Sequence, residues 1–597
     1  MNNYNKKWIY ILALSFIVLA GFFLRFYNYS KWLHFELDQS RDAKIIDLAV
    51  DEGIGNLPLL GPKAAGSFLR LGPLFYYQEY LSALVFGNTP SGIATFSLIL
   101  SCLTIPLFYL FVKRYFSAKI SLLISGIFSV SLFMIMYSRF AWNPNNIPFF
   151  AILAFYSLLR ACDYEEKRRG LWLIVFSAAL SFATQLHFVA FLALPAISAI
   201  FLIIKRPRIK IKYWLACLGI IAFLYSPMII NEIKTGGDNS KEFLKIFEKK
   251  SSGGGEKTIL EKAVKDYSEN SLGYFLILSG YGGAELPKFF NNAGKLDFQC
   301  AADCKKNLPP GILALAVFTG GLLLLLIRSK KIIFGERTAR KDFILLSLIW
   351  FAITFILFLP IAYNIAPRFF LISAALPFVF LGFILEFLEK RIRNKEVFLI
   401  VLSIVVLTLA ISNLFFIKQR FDETRNAPSK LFTTRTDRVL KERYRVTLEQ
   451  QYAIVDYMEK IYNKNKYPVY LNSEAFYRRA FLYHLDKKNI PSDDFRNTSN
   501  SKKIYRNANY FLVYPSTANL NDRKEEYMLN YDLLETKQFG TLTVFKLYPK
   551  KEKINAIQQE FGPKSKPKSA SGVPVRCRWN EIFKECNPDE MIGEEME

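Results

Sequence analysis

Long apolar runs recur along the first two thirds of the chain, at residues 8–27, 90–112, 118–137, 147–161, 171–184, 188–204, 213–230, 309–327, 342–360, 369–388 and 396–416. A bilayer core about 30 Å thick needs roughly 17–25 apolar residues in a helix. Several of these runs carry no charged residue, so the pattern predicts an α-helical multi-pass membrane protein with about 11 transmembrane helices. The first run leads into Arg25, Phe26 and Tyr27 rather than a small-residue cleavage site, and it reads as a retained helix, not a signal peptide. Residues 1–416 form the membrane part, interrupted by a first loop at 28–72 and a middle loop at 231–308.

Inside the first loop, Ile45, Ile46, Leu48 and Ala49 share one helical face, and Leu74, Tyr77, Leu81, Leu84 and Val85 recur at similar spacing just after it. Both stretches predict amphipathic helices lying on the membrane surface. TGGD at 235–238 and SSGGG at 251–255 predict mobile parts in the middle loop. After the last apolar run the pattern changes. Helical periodicity at 448–462 and 474–485 alternates with strand-like segments at 467–471, 510–514 and 542–547, which predicts a small α/β domain over 417–550. Residues 551–597, with KKEK and KSKPKS, read as a weakly ordered tail.

Charge changes the picture by its placement. The 597 residues hold 77 Lys plus Arg against 51 Asp plus Glu, a net charge of +26, which by itself suggests nucleic acid. A hydrophobic content of 52% excludes disorder for most of the chain, and membrane proteins concentrate basic residues on their cytoplasmic side. With the N-terminus inside and residues 73–112 crossing once, the inner connections take Lys113, Arg114 and Lys119, then Lys167 to Arg169, and the basic clusters around 205–212, 328–341 and 390–395. The short outer connections keep only Arg139 and Arg368. A second crossing within 73–112 would reverse that bias. The reading is therefore a cytoplasmic-membrane protein with its N-terminus inside and its first loop, middle loop and C-terminal domain outside, whose partners are membrane lipids and not nucleic acid.

The cysteines follow the same division. Cys102, Cys162 and Cys217 fall in or beside apolar runs as small apolar residues. Cys300, Cys304, Cys577 and Cys586 fall outside, where two local disulfides or, less in keeping with their spacing, a zinc site are open to them.

Candidate chemistry gathers at the outer ends of the helices. HFELDQSRDA at 34–43 puts Glu36, Asp38, Arg41 and Asp42 just beyond the first helix. GPKAAG at 61–66 supplies Lys63, SRFAWNPN at 138–145 supplies Arg139, QLH at 185–187 supplies His187, and YNIAPRFF at 363–370 supplies Arg368. Ionisable residues at one membrane edge, drawn from several helices, are a functional-site hypothesis. Carboxylates beside separated cations suit a sugar carried on a lipid phosphate: cations bind and stabilise the leaving phosphate, and a carboxylate takes the acceptor hydroxyl's proton. Each residue also has an ordinary alternative. Asp38 suits a helix start, Lys63 suits lipid head groups, His187 suits a helix break, and Arg41 suits pairing with Asp38 or Asp42. Glu36 and Asp38 are spaced as an ExD pair, the kind that holds a divalent metal, and otherwise two loop acids facing water.

The order of DQSRDA, the GPK…GPLFYY pair, SRFAWNPN, the break near His187 and PRFFLISAALP at 367–377 resembles the GT-C membrane glycosyltransferases, over roughly residues 1–390. The branch it resembles holds the protein O-mannosyltransferases and lipid A aminoarabinose transferases. That resemblance implies a GT-C-like fold and inverting transfer of a monosaccharide from a polyprenyl-phosphate donor to a hydroxyl of a protein, lipid or glycan, with the first-loop acid at Asp38 as general base. Gln39 stands where some members carry a second acid, leaving Glu36 or Asp42 as the assisting group. Arg139, Arg368, Lys63, His187 and Arg41 are the candidates for the donor phosphate. WWDYG, the oligosaccharyltransferase signature, is absent. The competing readings are a lipid-linked glycan polymerase or ligase, and a lipid or glycan flippase. The uncharged cores of several helices weigh against the flippase.

Overall fold

Every apolar run falls on a helix. A computed structural model describes residues 3–64, 67–248, 257–292, 295–300, 304–333, 338–432, 438–442, 444–494, 503–517, 527–557 and 575–586. Among these, 8 helices are long and apolar enough to cross a membrane: Trp8–Phe26, Pro90–Val112, Arg169–Leu186, Phe188–Lys205, Ile211–Thr235, Cys304–Ser329, Ala339–Ile361 and Lys395–Asn426. Pro367–Ser373 and Leu376–Arg391 add a ninth as a pair bent by 61°. The other two runs make shorter helices. One is split at Ser131 into Ala118–Val130 and Leu132–Met136, and the other is Ile147–Cys162.

Polar anchors pin these helices. Arg25 is fully buried, and it donates from Nε to Ser101 Oγ (3.0 Å) and from Nη1 to the carbonyls of Gly21 (3.0 Å) and Ser129 (2.8 Å). Burying a guanidinium in an apolar bundle is costly, and the three bonds that offset the cost tie three helices together through this one residue.

The first loop folds into the helices Leu37–Glu52 and Leu74–Phe86, joined by a tight ribbon. Ile45, Ile46 and Ala49 of the first helix are buried in the protein core rather than in a membrane surface. In the ribbon, the amide of Gly61 donates to the carbonyl of Leu71 (2.8 Å) and that of Leu71 to the carbonyl of Pro62 (2.9 Å). A Cβ on Gly61 would lie 2.2 Å from the Gly72 carbonyl oxygen, and one on Gly72 would lie 2.1 Å from Gln185 Oε1. The glycines of the GPK and GPL segments are there for that close approach.

Of the two glycine-rich stretches in the middle loop, TGGD forms a defined turn. Ile211–Thr235 ends on Gly236 at φ +65°, and Asp238–Glu248 begins almost at once, so TGGD is a compact corner. SSGGG at 251–255 lies outside the described residues. The helix Ile259–Ser279 then starts on a capping box of Thr258 and Glu261 and buries its apolar end, Tyr274–Ser279, among the membrane helices. Its polar first half hides it from a search for long apolar runs. A hairpin of β1 (Lys288–Asn292) and β2 (Lys295–Gln299) follows. Cys300 and Cys304 are joined, as are Cys577 and Cys586, while Cys102, Cys162 and Cys217 are buried free thiols.

The C-terminal unit is an α/β layer. Its five strands, β3 (Val469–Ser473), β4 (Ser492–Asp494), β5 (Asn509–Pro515), β6 (Tyr531–Phe539) and β7 (Leu542–Pro549), stand in the order β4-β3-β5-β7-β6. β3 runs parallel to β4 and β5, and β7 is antiparallel to β5 and β6. Helices Leu448–Asn465 and Ala475–Lys487 cover one face. The second of these also packs on the first-loop helix, with Phe35 against the rings of Tyr483 and His484 at 5.3 and 5.2 Å. Gln451 Nε2 donates to the Phe35 carbonyl at 2.8 Å. The first loop is thus held between the membrane helices and the C-terminal unit. Within 551–597, read above as weakly ordered, residues 575–586 pack against the first loop through backbone hydrogen bonds to Leu57 and Leu59.

Candidate active site

Five stretches of chain meet at one cleft of about 550 Å³: 34–39 from the first loop, 137–142, 366–368, and 439–444 and 474–477 from the C-terminal unit. Asp38 stands in the first turn of Leu37–Glu52, where its charge also suits the helix N-terminus. Its Oδ1 accepts from Arg41 Nη1 at 3.0 Å and its Oδ2 from Trp142 Nε1 at 3.2 Å, and its side chain keeps 39% exposure toward the cleft. Asp42, one helical turn on, is 2% exposed. It takes Arg41 through Nε (2.9 Å) and Nη2 (2.8 Å) and accepts from the buried Tyr76 hydroxyl at 3.0 Å. Burial pushes the Asp42 carboxyl up to about 6 against the pull of Arg41. The two acids therefore differ in kind: Asp38 is presented to the cleft, and Asp42 holds Arg41 behind it.

Trp142 links the base candidate to a cation. Asp38 engages its indole N–H, while the guanidinium of Arg368 lies over its ring at 5.7 Å and over Phe369 at 5.2 Å. Arg368 sits at the start of the bent pair, where Pro367 opens the 3₁₀ turn. His187 lies next to it, capping Phe188–Lys205 through Nδ1 (3.2 Å from the Val189 amide), with its ring 5.9 Å from Phe369. Burial and the neighbouring Arg368 lower His187 to about 4, so it is a neutral imidazole.

The opposite wall comes from the C-terminal unit. His34 bridges Glu36 (3.1 Å) and Glu442 (2.8 Å), and Glu442 in turn takes Arg420 (2.5 Å) and Arg445 (2.8 Å). Lys441, Glu474, Phe476 and Tyr477 complete this wall, with Phe476 54% exposed. Sequence reasoning missed His34, Glu442 and this wall. His34 stands beside Glu36 in the sequence, but nothing local points to a partner at 442.

Not all expected residues arrive here. Arg139 is buried away from the cleft, where Nη1 donates to the carbonyls of Leu24 (3.2 Å) and Arg25 (2.8 Å) and Nη2 to that of Tyr27 (2.9 Å). It satisfies the open carbonyls at the end of the first helix, which accounts for its place in an outer loop without a phosphate. Lys63 is in the ribbon over the Phe68 ring at 5.3 Å and does not line the cleft. Glu36 does line the cleft, with its carboxylate engaged by His34. Among the described residues no group of three or more His, Cys, Asp or Glu is arranged to hold a metal ion.

The fold has counterparts among known structures. Crystal structures of ArnT from Cupriavidus metallidurans share 10% identity with the chain. The apo state superposes with a TM-score of 0.51 over 91% of this chain and 98% of that one. ArnT bound to undecaprenyl phosphate superposes with a TM-score of 0.52 over 90% and 98%. The chain has the GT-C fold. Residues 71–230 also match the family described as dolichyl-phosphate-mannose-protein mannosyltransferase. No curated protein matches the chain in sequence. Within the GT-C fold, the stretch that matches the family holds Trp142 and His187, whereas Asp38, Arg368 and the C-terminal wall lie beyond it.

Proposed function

We propose that the chain is a membrane glycosyltransferase that moves a monosaccharide from a polyprenyl-phosphate donor to an acceptor hydroxyl on the extracytoplasmic face. The acceptor oxygen attacks the anomeric carbon, the bond from that carbon to the phosphate oxygen breaks, and the lipid phosphate leaves with the bonding pair. Asp38 takes the acceptor proton, and attack from the face opposite the phosphate inverts the configuration. Arg368 meets the departing phosphate with His187 beside it, and Arg41 keeps Asp38 in place. The observation that carries this reading is the clasp on Trp142, with a half-exposed carboxylate at the indole edge and a guanidinium on its face, in one cleft. The mannosyltransferase family match and the ArnT structure with undecaprenyl phosphate bound support the donor class.

The test is transfer by the purified full chain, supplied with labelled polyprenyl-phosphate sugars in lipid nanodiscs. Asp38→Asn is expected to lose about 10²–10⁴ in rate, the range of general-base catalysis, while still binding the lipid phosphate. Arg368→Ala is expected to weaken that binding. Full transfer by Asp38→Asn would rule out the base assignment. Sugar transfer only from pyrophosphate-linked oligosaccharides would point instead to a polymerase or ligase.

A further inference from the structure

Residues 575–586 lie far in sequence from the cleft, yet they are stitched to the loop that carries its carboxylates. The chain here pairs antiparallel to the first loop through a bridge between Pro58 and Arg578. The Leu59 amide donates to the Cys577 carbonyl at 2.8 Å and the Trp579 amide to the Leu57 carbonyl at 3.2 Å. Side chains reinforce the pairing. Trp579 Nε1 donates to the Tyr77 hydroxyl (2.8 Å), which itself donates to the Pro58 carbonyl (3.0 Å). Asn580 Nδ2 donates to Asn56 Oδ1 at 3.0 Å, and a Cβ on Gly55 would come within 3.2 Å of Asn580 Cβ.

The segment is also fastened to a membrane helix. Fully buried Asn231 of Ile211–Thr235 donates to the Val575 carbonyl (3.2 Å) and accepts from the Cys577 amide (2.9 Å), the two bonds one amide side chain makes to an extended backbone. Lys234 Nζ donates to the carbonyls of Ile582 (2.7 Å) and Lys584 (2.8 Å). The disulfide Cys577–Cys586 closes residues 577–586 into a ring just after Val575 and Arg576, which limits how far that part can unfold away from the loop. At the inner end, buried Arg576 places its guanidinium 5.9 Å over the ring of Tyr76, whose hydroxyl bonds Asp42, which grips Arg41, which holds Asp38.

We propose that residues 575–586 are a positioning element of the site: a disulfide-closed strap that locks the first loop to Ile211–Thr235, with Arg576 as the positioning residue behind Tyr76 and Asp42. An extended segment added to an open backbone edge is a recurring recognition mode, and here the chain supplies its own. The consequence for sugar transfer rests on the proposed function. The consequence for the first loop does not.

Two measurements on the full chain in nanodiscs separate them. Hydrogen exchange is followed at residues 37–60 in the wild type, in Trp579→Ala combined with Asn231→Ala, and in Cys577→Ser combined with Cys586→Ser. Exchange there should rise by at least about tenfold as the local opening free energy falls, while the helix Ala339–Phe358 keeps its protection and reports an intact fold. Transfer is then measured for Arg576→Gln and Arg576→Lys. The Gln variant should lose about tenfold in kcat with the donor KM unchanged, as expected of a displaced base, and Lys should restore it. Unchanged exchange at 37–60 in the strap variants would overturn the proposal, as would equal transfer by Arg576→Gln and wild type. If the wild type transfers nothing, the proposed function fails, and the exchange result still decides whether the strap holds the loop.

Discussion

Asp38 and Asp42 stand one turn apart on the same helix, and only their surroundings give them different work. Asp38 keeps its exposure because the helix N-terminus, Arg41 and Trp142 stabilise its charge without closing it off. His34 is the residue whose charge state matters most to the cleft wall. Burial alone would lower its imidazole below the usual 6.5, but Glu36 and Glu442 outweigh that and raise it to about 10. Burial works against the Glu442 carboxylate as well, but Arg420, His34 and Arg445 hold it well below the usual carboxylate range. Because folding raises the histidine value, its contribution is full below about pH 6.5 and is lost as pH rises through about 10. His34→Gln should therefore cost roughly 1.5–3 kcal/mol at pH 6, the worth of hydrogen bonds to charged groups, and the two unfolding curves should converge above pH 10. Thermal unfolding in detergent across that range checks it. At this scale the arrival of Asp38 and Arg368 in one cleft follows from local signals, an acid after the first helix and a cation in a short outer loop. Arg139 was legible as unusual but not in its role, since the carbonyls it caps belong to a helix end more than a hundred residues away. The partnership of His34 with Glu442 leaves no local trace at all.

At the scale of elements, Leu74–Phe86 is the instructive helix. Its periodicity predicts an amphipathic helix on the membrane surface, and one forms, but its buried face is mixed rather than apolar. Leu81, Leu84, Val85 and Phe86 are exposed, whereas Gln78, Glu79 and Ser82 are buried together with Leu74, Phe75 and Tyr76, and Gln78 and Ser82 bond to Pro90–Val112. Gln78 Nε2 donates to Ser97 Oγ (3.2 Å), Asn146 Nδ2 donates to Gln78 Oε1 (3.2 Å), and Ser82 Oγ donates to the Gly92 carbonyl (2.6 Å). In contact with lipid an apolar face has no need of a protein partner, and polar groups gain by meeting each other inside. Periodicity therefore fixes that a helix forms and leaves open which face is covered. Glu79 tests this packing. Both its carboxylate oxygens are buried with no hydrogen-bond partner among the described residues, and burial, with Asp42 adding to it, raises its carboxyl well above the usual range, against Arg41. A group that stays protonated when folded stabilises the fold less as pH rises. Glu79→Gln is expected to match the wild type to within about 1 kcal/mol at acidic pH and to gain on it as pH increases, measured as the difference in unfolding temperature across a pH series. In the C-terminal unit, β3, β5 and β7 were legible from their apolar runs. β6 was not, because it is an exposed edge strand with a largely polar sequence, and β4 is only three residues long.

For the whole molecule, the cleft itself constrains the path of the chain through the membrane. Its residues come from both sides of several helices, so each intervening set must return the chain to the same face. Pro90–Val112 and the split helix 118–136 lie between Gln39 and Tyr137. Ile147–Cys162, Arg169–Leu186, Phe188–Lys205, Ile211–Thr235, Cys304–Ile333 and Ala339–Phe358 lie between Trp142 and Ala366. Leu376–Arg391 and Lys395–Asn426 lie between Arg368 and Val439. Each set is even, so the path closes if all of these helices cross, including the two short ones, and if Leu74–Phe86 and Ile259–Ser279 do not. The 13 residues of Leu74–Phe86 extend only about 20 Å, too little for the hydrocarbon core. The threading expected from charge bias meets that parity. It predicts that Lys441 and Lys63 face one side of the membrane and that Lys167, Arg208 and Arg393 face the other. Cysteines placed singly at these positions, in a background where the three buried thiols are serine, should divide cleanly under a membrane-impermeant maleimide applied to intact cells. Labelling at 441 and 63 with protection at 167, 208 and 393 would fix the cleft outside. Labelling at 167 together with 441 would break the parity, and with it the assignment of Ile147–Cys162 as a crossing helix.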